Sequence, residues 1–259
     1  QSNASPAFAW HPNGQLLSYT IEDGAQNLLL TVDLETLESS EKEIFQIDKI
    51  LSMSYAPDGS TMIWSGLRNG QSDLYLYQVI GNNQLALWRD AYDDLDPIFS
   101  DDGKFIWFAS NRPDASLPSN FVLGEPLAEQ HDLFRLIWEG KTPRLEPWVQ
   151  TALTDERFPQ LQGPEDITYL AEQPGGKQER WLSWRDSAIA FIDTTIHYRW
   201  FTETRLAESL SAPASSFQYI PERNVVGYQH QLCGHVFWNE VRATTNGREV
   251  AEQTITTPE

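Results

Sequence analysis

Three aspartates within four residues, Asp93, Asp94 and Asp96, are the densest set of potential ligands in the chain. Aspartates so placed could hold a hard cation, which needs several converging oxygens, or could supply a glycosidase pair, which needs two carboxyls about 5–10 Å apart. Nothing in the sequence sets two acids at that separation, and Asp96 directly before Pro97 reads as a turn or cap residue. His230, Cys233 and His235 place two ligands, Cys233 and His235, on one strand face, where a soft metal could bind. Three ligands with no second motif read as coincidence. Arg68 with Asp73, and Arg112 with Asp132, recur at the ends of a hairpin and read as a structural ion pair across it. No Gly-x-Ser-x-Gly elbow, phosphate loop or dinucleotide fingerprint occurs. No catalytic set, metal site or cofactor is expected.

The elements that must position these residues come from a repeat. Phe8-Ala-Trp10-His-Pro12-Asn-Gly14, Met53-Ser-Tyr55-Ala-Pro57-Asp-Gly59, Pro97-Ile-Phe99-Ser-Asp101-Asp-Gly103 and Phe217-Gln-Tyr219-Ile-Pro221-Glu-Arg-Asn224 share one plan. An aromatic precedes the Pro, or its stand-in Asp101, by two residues, and another (Tyr19, Trp64, Phe108, Tyr228) follows by seven. A degenerate fifth copy runs from Pro159 through Gly163 to Leu170. Each copy reads as two strands around a turn whose glycine supplies φ > 0. A third strand follows at 27–32, 73–79 and 132–138, and an outer one near 43–47, 84–88 and 146–149. Anchors 45, 44, 62 and 58 residues apart, built from short strands, predict an all-β propeller of five four-stranded blades. The inner strands fall near 7–10, 51–55, 97–100, 158–161 and 216–220, and the last outer strand near 247–256. The aromatics, ten Trp among them, read as packing between blades, with Trp64 and Tyr19 buried there.

The run from Asp94 through Pro97, Gly103, Ser110-Asn111-Arg112 and Asp132 resembles the repeats of TolB-like and WD-like β-propellers, and Tyr55–Tyr75 matches the same template. The likeness is strong over 51–138, fair over 7–34 and weak over 151–259. It implies a propeller, periplasmic or otherwise extracytoplasmic, that binds a protein or peptide, either as a free module or as the sensor ectodomain of a membrane-anchored regulator. The same repeats occur in peptidase propellers. The alternative is a five-bladed glycan-active hydrolase or glycan-binding propeller.

Composition narrows the partners. A net charge of −19 argues against nucleic acid and against an anionic membrane, both of which need basic surface. No apolar run approaches the length of a membrane span, so no direct insertion of this segment is expected. The single cysteine cannot form an internal disulfide, and so does not report the compartment. Residues 1–4 look like an expression-vector remnant, and 5–259 read as one domain, expected to be a monomer.

Topology then says where a partner would bind. In a four-strand meander the Asp-Gly turns lie on one face of the disc. The second-to-third loops and the crossings between blades lie on the other. On that second face blade three carries 15 extra residues between its second and third strands, with an apolar tip at Phe121, Val122 and Leu123. The crossing through Tyr92, Asp93 and Asp94 lies beside it. Loops held by a rigid scaffold commonly carry binding. Phe121, Val122, Leu123 and Tyr92 are therefore the expected contact residues, with Asp93 and Asp94 steering basic groups. Inner-strand positions Phe8, Met53, Pro97 and Phe217 and their neighbours place almost no carboxylate toward the channel, which weighs against a hydrolase.

Overall fold

The structure, a computed structural model, describes residues 6–23, 26–115, 128–137, 143–232 and 235–244. It is an all-β propeller of five antiparallel blades, each laid down by contiguous chain. Blade one holds β1 (Phe8–Trp10), β2 (Leu16–Asp23), β3 (Gln26–Asp33) and β4 (Ser39–Ile44). Blade two holds β5 (Lys49–Tyr55), β6 (Thr61–Arg68), β7 (Gln71–Gln78) and β8 (Asn83–Ala86). Blade three is β9 (Asp94–Phe99), β10 (Phe105–Ser110), β11 (Asp132–Ile137) and β12 (Arg144–Val149). Blade four is β13 (Asp155–Leu161), β14 (Asp166–Gln173), β15 (Lys177–Ile192) and β16 (Ile196–Ser209). Blade five shows three strands among the described residues, β17 (Ser216–Ile220), β18 (Val225–Leu232) and β19 (His235–Arg242). The outer strand expected at 247–256 lies outside the described residues, as do residues 1–5.

The repeat works as its residues require. In the first three turns the glycine amide bonds the carbonyl three residues back, Gly14 to His11, Gly59 to Ala56 and Gly103 to Ser100, each at 2.9 Å. All three glycines sit at φ of 70–72°, a conformation that a side chain disfavours. At Gly59 a Cβ would also meet the His11 ring at 2.2 Å. In blade five Asn224 takes the left-handed position instead, at φ 48° after a single 3-10 turn.

Between turns the strands alternate, so each blade shows one face to the preceding blade and one to the next. Four apolar clusters result, between blades one and two, two and three, three and four, and four and five. Trp64 lies fully buried in the first, stacked on Tyr77 with ring centroids 4.3 Å apart. Tyr19, expected to be buried alike, is only half-buried, because no apolar cluster among the described residues covers its face of blade one.

Several strand boundaries differ from expectation, among them the inner strands of blades three and four, which begin at Asp94 and Asp155 rather than near 97 and 158. The outer strand of blade one starts at Ser39 rather than near residue 43. A tight turn over 33–37, with the Leu37 amide on the Asp33 carbonyl at 2.8 Å, brings the chain back early. That of blade two is Asn83–Ala86 rather than 84–88. The longest hairpin is β15–β16, whose far end leaves Ile189, Ile192, Ile196, Tyr198 and Trp200 at least half exposed.

Candidate functional site

The crossing from blade two to blade three, residues 87–94, is held in place by its own acids. Asp94, the first residue of β9, is fully buried. Its carboxylate accepts Arg112 Nη2 at 2.7 and 3.0 Å and Trp88 Nε1 at 2.6 Å, while Ser65 Oγ donates to its carbonyl at 2.6 Å. Arg112 follows the end of β10, and its guanidinium lies 5.4–5.9 Å from the rings of Trp88, Tyr92, Phe108 and Phe134. Such a cage holds a cation by its ring faces while excluding water. Asp90 adds a second carboxylate to Arg112 at 3.4 Å and turns the chain by accepting the Tyr92 amide at 2.7 Å. Arg112 therefore pairs with the crossing and not with Asp132, correcting the hairpin ion pair. Asp132 instead accepts Gln150 Nε2 and the Thr151 amide. Likewise Asp73 accepts the Asp90 amide at 3.4 Å, and among the described residues no ion pair joins it to Arg68.

Asp93 is half-buried and binds blade two. Its carboxylate accepts the Ser72 amide at 3.1 Å, Ser72 Oγ at 2.5 Å and Gln71 Nε2 at 3.3 Å. Its amide donates to Asn111 Oδ1 at 2.8 Å, and Asn111 Nδ2 donates to the Ala128 carbonyl at 3.1 Å. Ala128 is where the blade-three insertion re-enters the described structure, so one asparagine ties the insertion's return to the crossing. Phe121, Val122 and Leu123 lie outside the described residues. Tyr92 remains half-exposed between these anchors. The structure thus brings Tyr92, Asp93 and the insertion's return together. It turns Asp94 inward to neutralise Arg112, out of reach of solvent.

Asp96 behaves as the expected cap, across a blade boundary. With φ at 53° it forms a bulge in β9, and its carboxylate accepts Arg157 Nε at 2.7 Å and the Phe158 amide at 3.2 Å from β13. Phe158, at φ 55° before Pro159, forms the matching bulge in blade four.

The equivalence exposes an acid that sequence reasoning missed. Counted from the two bulges, Glu156 of blade four occupies the position of Asp94, three residues before the proline in each case. By the same count Gln173 stands where blade three has Arg112, and no ion pair among the described residues reaches Glu156. It is 1% exposed, with Oε1 bonded to Thr151 Oγ1 and its carboxyl set against that of Asp132. Burial, reinforced by the nearby Asp132 and Asp155 charges, pushes its carboxyl up to about 9. Asp132 is raised by burial alone, and Asp73, buried near Asp94, rises to about 7. Asp155 goes the other way, held low by His131, whose Nδ1 and amide both lie 2.8 Å from its Oδ1. The matching spacings Asp94…Pro97 and Glu156…Pro159 were the available signal.

The remaining motifs do little. His230 Nδ1 lies 3.0 Å from the Pro213 carbonyl, and Cys233 lies outside the described residues. Among the described residues no three His, Cys, Asp or Glu side chains converge as a metal site would need, and no helix is long and apolar enough to cross a membrane.

Against known proteins, no sequence-family model and no curated protein matches this chain. Solved structures do. TolB from Acinetobacter baumannii superposes with a TM-score of 0.66 at 13% identity, over 91% of this chain and 51% of its own. A putative TolB from Agrobacterium tumefaciens gives 0.54 at 13%, over 77% and 73%. An oligogalacturonate lyase in complex with manganese gives 0.55 at 13%, over 94% and 66%. The fold is that of the TolB-like β-propellers, as the repeats implied. The chain spans about half the length of the Acinetobacter TolB.

Proposed function

We propose that this propeller is a non-catalytic, extracytoplasmic module that binds a protein or peptide partner on the face carrying the blade crossings. One observation carries the reading: the crossing and the return of the blade-three insertion are fastened to one another through Asp93, Asn111 and Ala128. A long loop with an apolar stretch, Phe121-Val122-Leu123, thereby starts and ends on a rigid base beside Tyr92. Loops so anchored are the usual binding elements of rigid scaffolds. The acids around this base face inward to Arg112, Ser72 and Arg157, which leaves them poorly placed for hydrolysis. The TolB-like fold supports a binding role, although an oligogalacturonate lyase shares the architecture.

The test is removal of residues 116–127 together with Tyr92→Ala, made separately and combined. Each variant is used as bait against a periplasmic extract, beside the parent. Loss of the same captured protein from both variants, at unchanged melting temperature, supports the reading. Undiminished capture by both would place recognition elsewhere.

A further inference from the structure

Arg68 and Arg89 are set apart by what they lack. In a chain with 37 Asp and Glu against 18 Lys and Arg, Arg112, Arg135, Arg157, Arg180 and Arg185 each hold a carboxylate. No ion pair among the described residues engages Arg68 or Arg89. Both line one cavity of about 230 Å³, between blade two and the crossing that leads into it from blade one. Strand register explains how its groups meet. Trp64, Gly66 and Arg68 of β6 share the face turned to blade one with Asp73 and Tyr75 of β7. The Asn69-Gly70 turn, at φ of 53° and 83°, closes that hairpin just beyond Arg68. Gly66 leaves room for the Tyr75 ring, since a Cβ there would lie 2.9 Å from its Cδ2. Tyr75 is 3% exposed, and its hydroxyl completes no hydrogen bond, although the Arg89 guanidinium lies beside it. Arg68 Nη1 is likewise buried without a partner. Gln84 ties β8 to the crossing, its side-chain amide bonding the Phe45 amide at 2.8 Å and the Phe45 carbonyl at 3.2 Å. The flanking acids are taken up by backbone: Asp48 accepts the Asn69 amide at 2.7 Å, and Asp73 the Asp90 amide at 3.4 Å.

We infer that this cavity binds a small oxyanion, a phosphate or carboxylate group, between the Arg68 and Arg89 guanidiniums, with the Tyr75 hydroxyl as a further donor. Guanidiniums match such groups in geometry and charge, and buried donors left unpaired are costly until something accepts from them. The volume is below the ~300–1,000 Å³ of sites for drug-sized ligands, and suits one charged group with some water. A net charge of −19 repels anions at long range, so unspecific attraction would not fill the site and only the local pair of cations can. The cavity lies at the seam of blades one and two, apart from Tyr92 and the blade-three insertion, and the inference stands whether or not those bind a partner.

Equilibrium dialysis of the whole chain against radiolabelled inorganic phosphate, at an ionic strength held constant with chloride, tests this. The expected result is a single saturable site that Arg68→Gln and Arg89→Gln each weaken about ten-fold or more. Arg199→Gln, on the exposed β15–β16 hairpin, should bind as the parent does. Competition with acetate and with the dipeptide Gly-Glu then separates the sources of the group. Equal displacement by the two supports a free anion, and displacement by Gly-Glu at much lower concentration supports an acid carried on a peptide. Circular dichroism checks the fold of each variant. If Arg68→Gln does not fold, Arg89→Gln, at an exposed residue of the crossing, carries the test. Absence of saturable phosphate binding overturns the inference. So does binding that neither variant weakens, or that Arg199→Gln weakens equally, the mark of an adventitious ion only.

Discussion

Replacing Glu156 by glutamine asks whether a buried acid outside the described ion pairs costs this fold stability. Folded, Glu156 keeps its proton to about 9, whereas an unfolded chain releases it near the ordinary 4.5. Between those values the folded state binds more protons, so stability falls as pH rises through the window and levels off above it. At neutral pH about 2.5 of these units have been crossed, a ceiling of about 3.5 kcal/mol at roughly 1.4 kcal/mol per unit. Glutamine fills the same volume, can accept from Thr151, sets an amide beside Asp132 and carries no proton to lose. Glu156→Gln should therefore match the parent near pH 4.5 and exceed it by about 1–3 kcal/mol near pH 7. Urea unfolding of both proteins at about pH 5, 7 and 8.5 reads the difference directly. A variant less stable than the parent at neutral pH, with an unchanged pH slope, would refute the buried neutral acid.

Two further outcomes follow from packing and charge. Trp64→Ala, at a fully buried side chain stacked on Tyr77, should cost roughly 3–5 kcal/mol, and a melting temperature within a degree or two of the parent would contradict its place between blades. Arg112→Met leaves Asp94 buried and unpaired, at a cost of about 3–5 kcal/mol in urea unfolding, and Asp94→Asn in that background should recover much of it; equal losses in the single and double variants would mean that Arg112 acts by packing alone.

How much of this was legible in the sequence varied with the range of the interaction. The turns were, because Pro-Asp-Gly at 57–59 and its relatives determine backbone geometry locally, and Gly59 and Gly103 adopt the φ the turn demands. Trp64 was legible because its position recurs from blade to blade. Tyr19 holds the same position and is half-exposed, since a repeat gives the side a residue faces but not whether anything stands there. The pairing of Arg112 was misread because two candidate acids, Asp94 and Asp132, flank it at similar sequence distance. Only the inward turn of the crossing, held by Ser72 and Asn111, selects Asp94. Glu156 drew no notice because the fifth repeat lacks the aromatic signature, although its spacing from Pro159 copies that of Asp94 from Pro97.

Among the described residues the four apolar clusters each join only neighbouring blades, and that shapes how the molecule comes apart. Energetically the disc is a short one-dimensional array, in which an interior blade loses two interfaces on opening and a terminal blade one. Blades two, three and four are thus the cooperative centre, further clamped by Arg112 and by the Asp96–Arg157 bond between the inner strands of three and four. Blades that share a single cluster should open before this centre does. The crossing that we assign to binding sits on the segment that melts last, so a partner gripping it meets a surface whose shape persists while the rim of the array breathes.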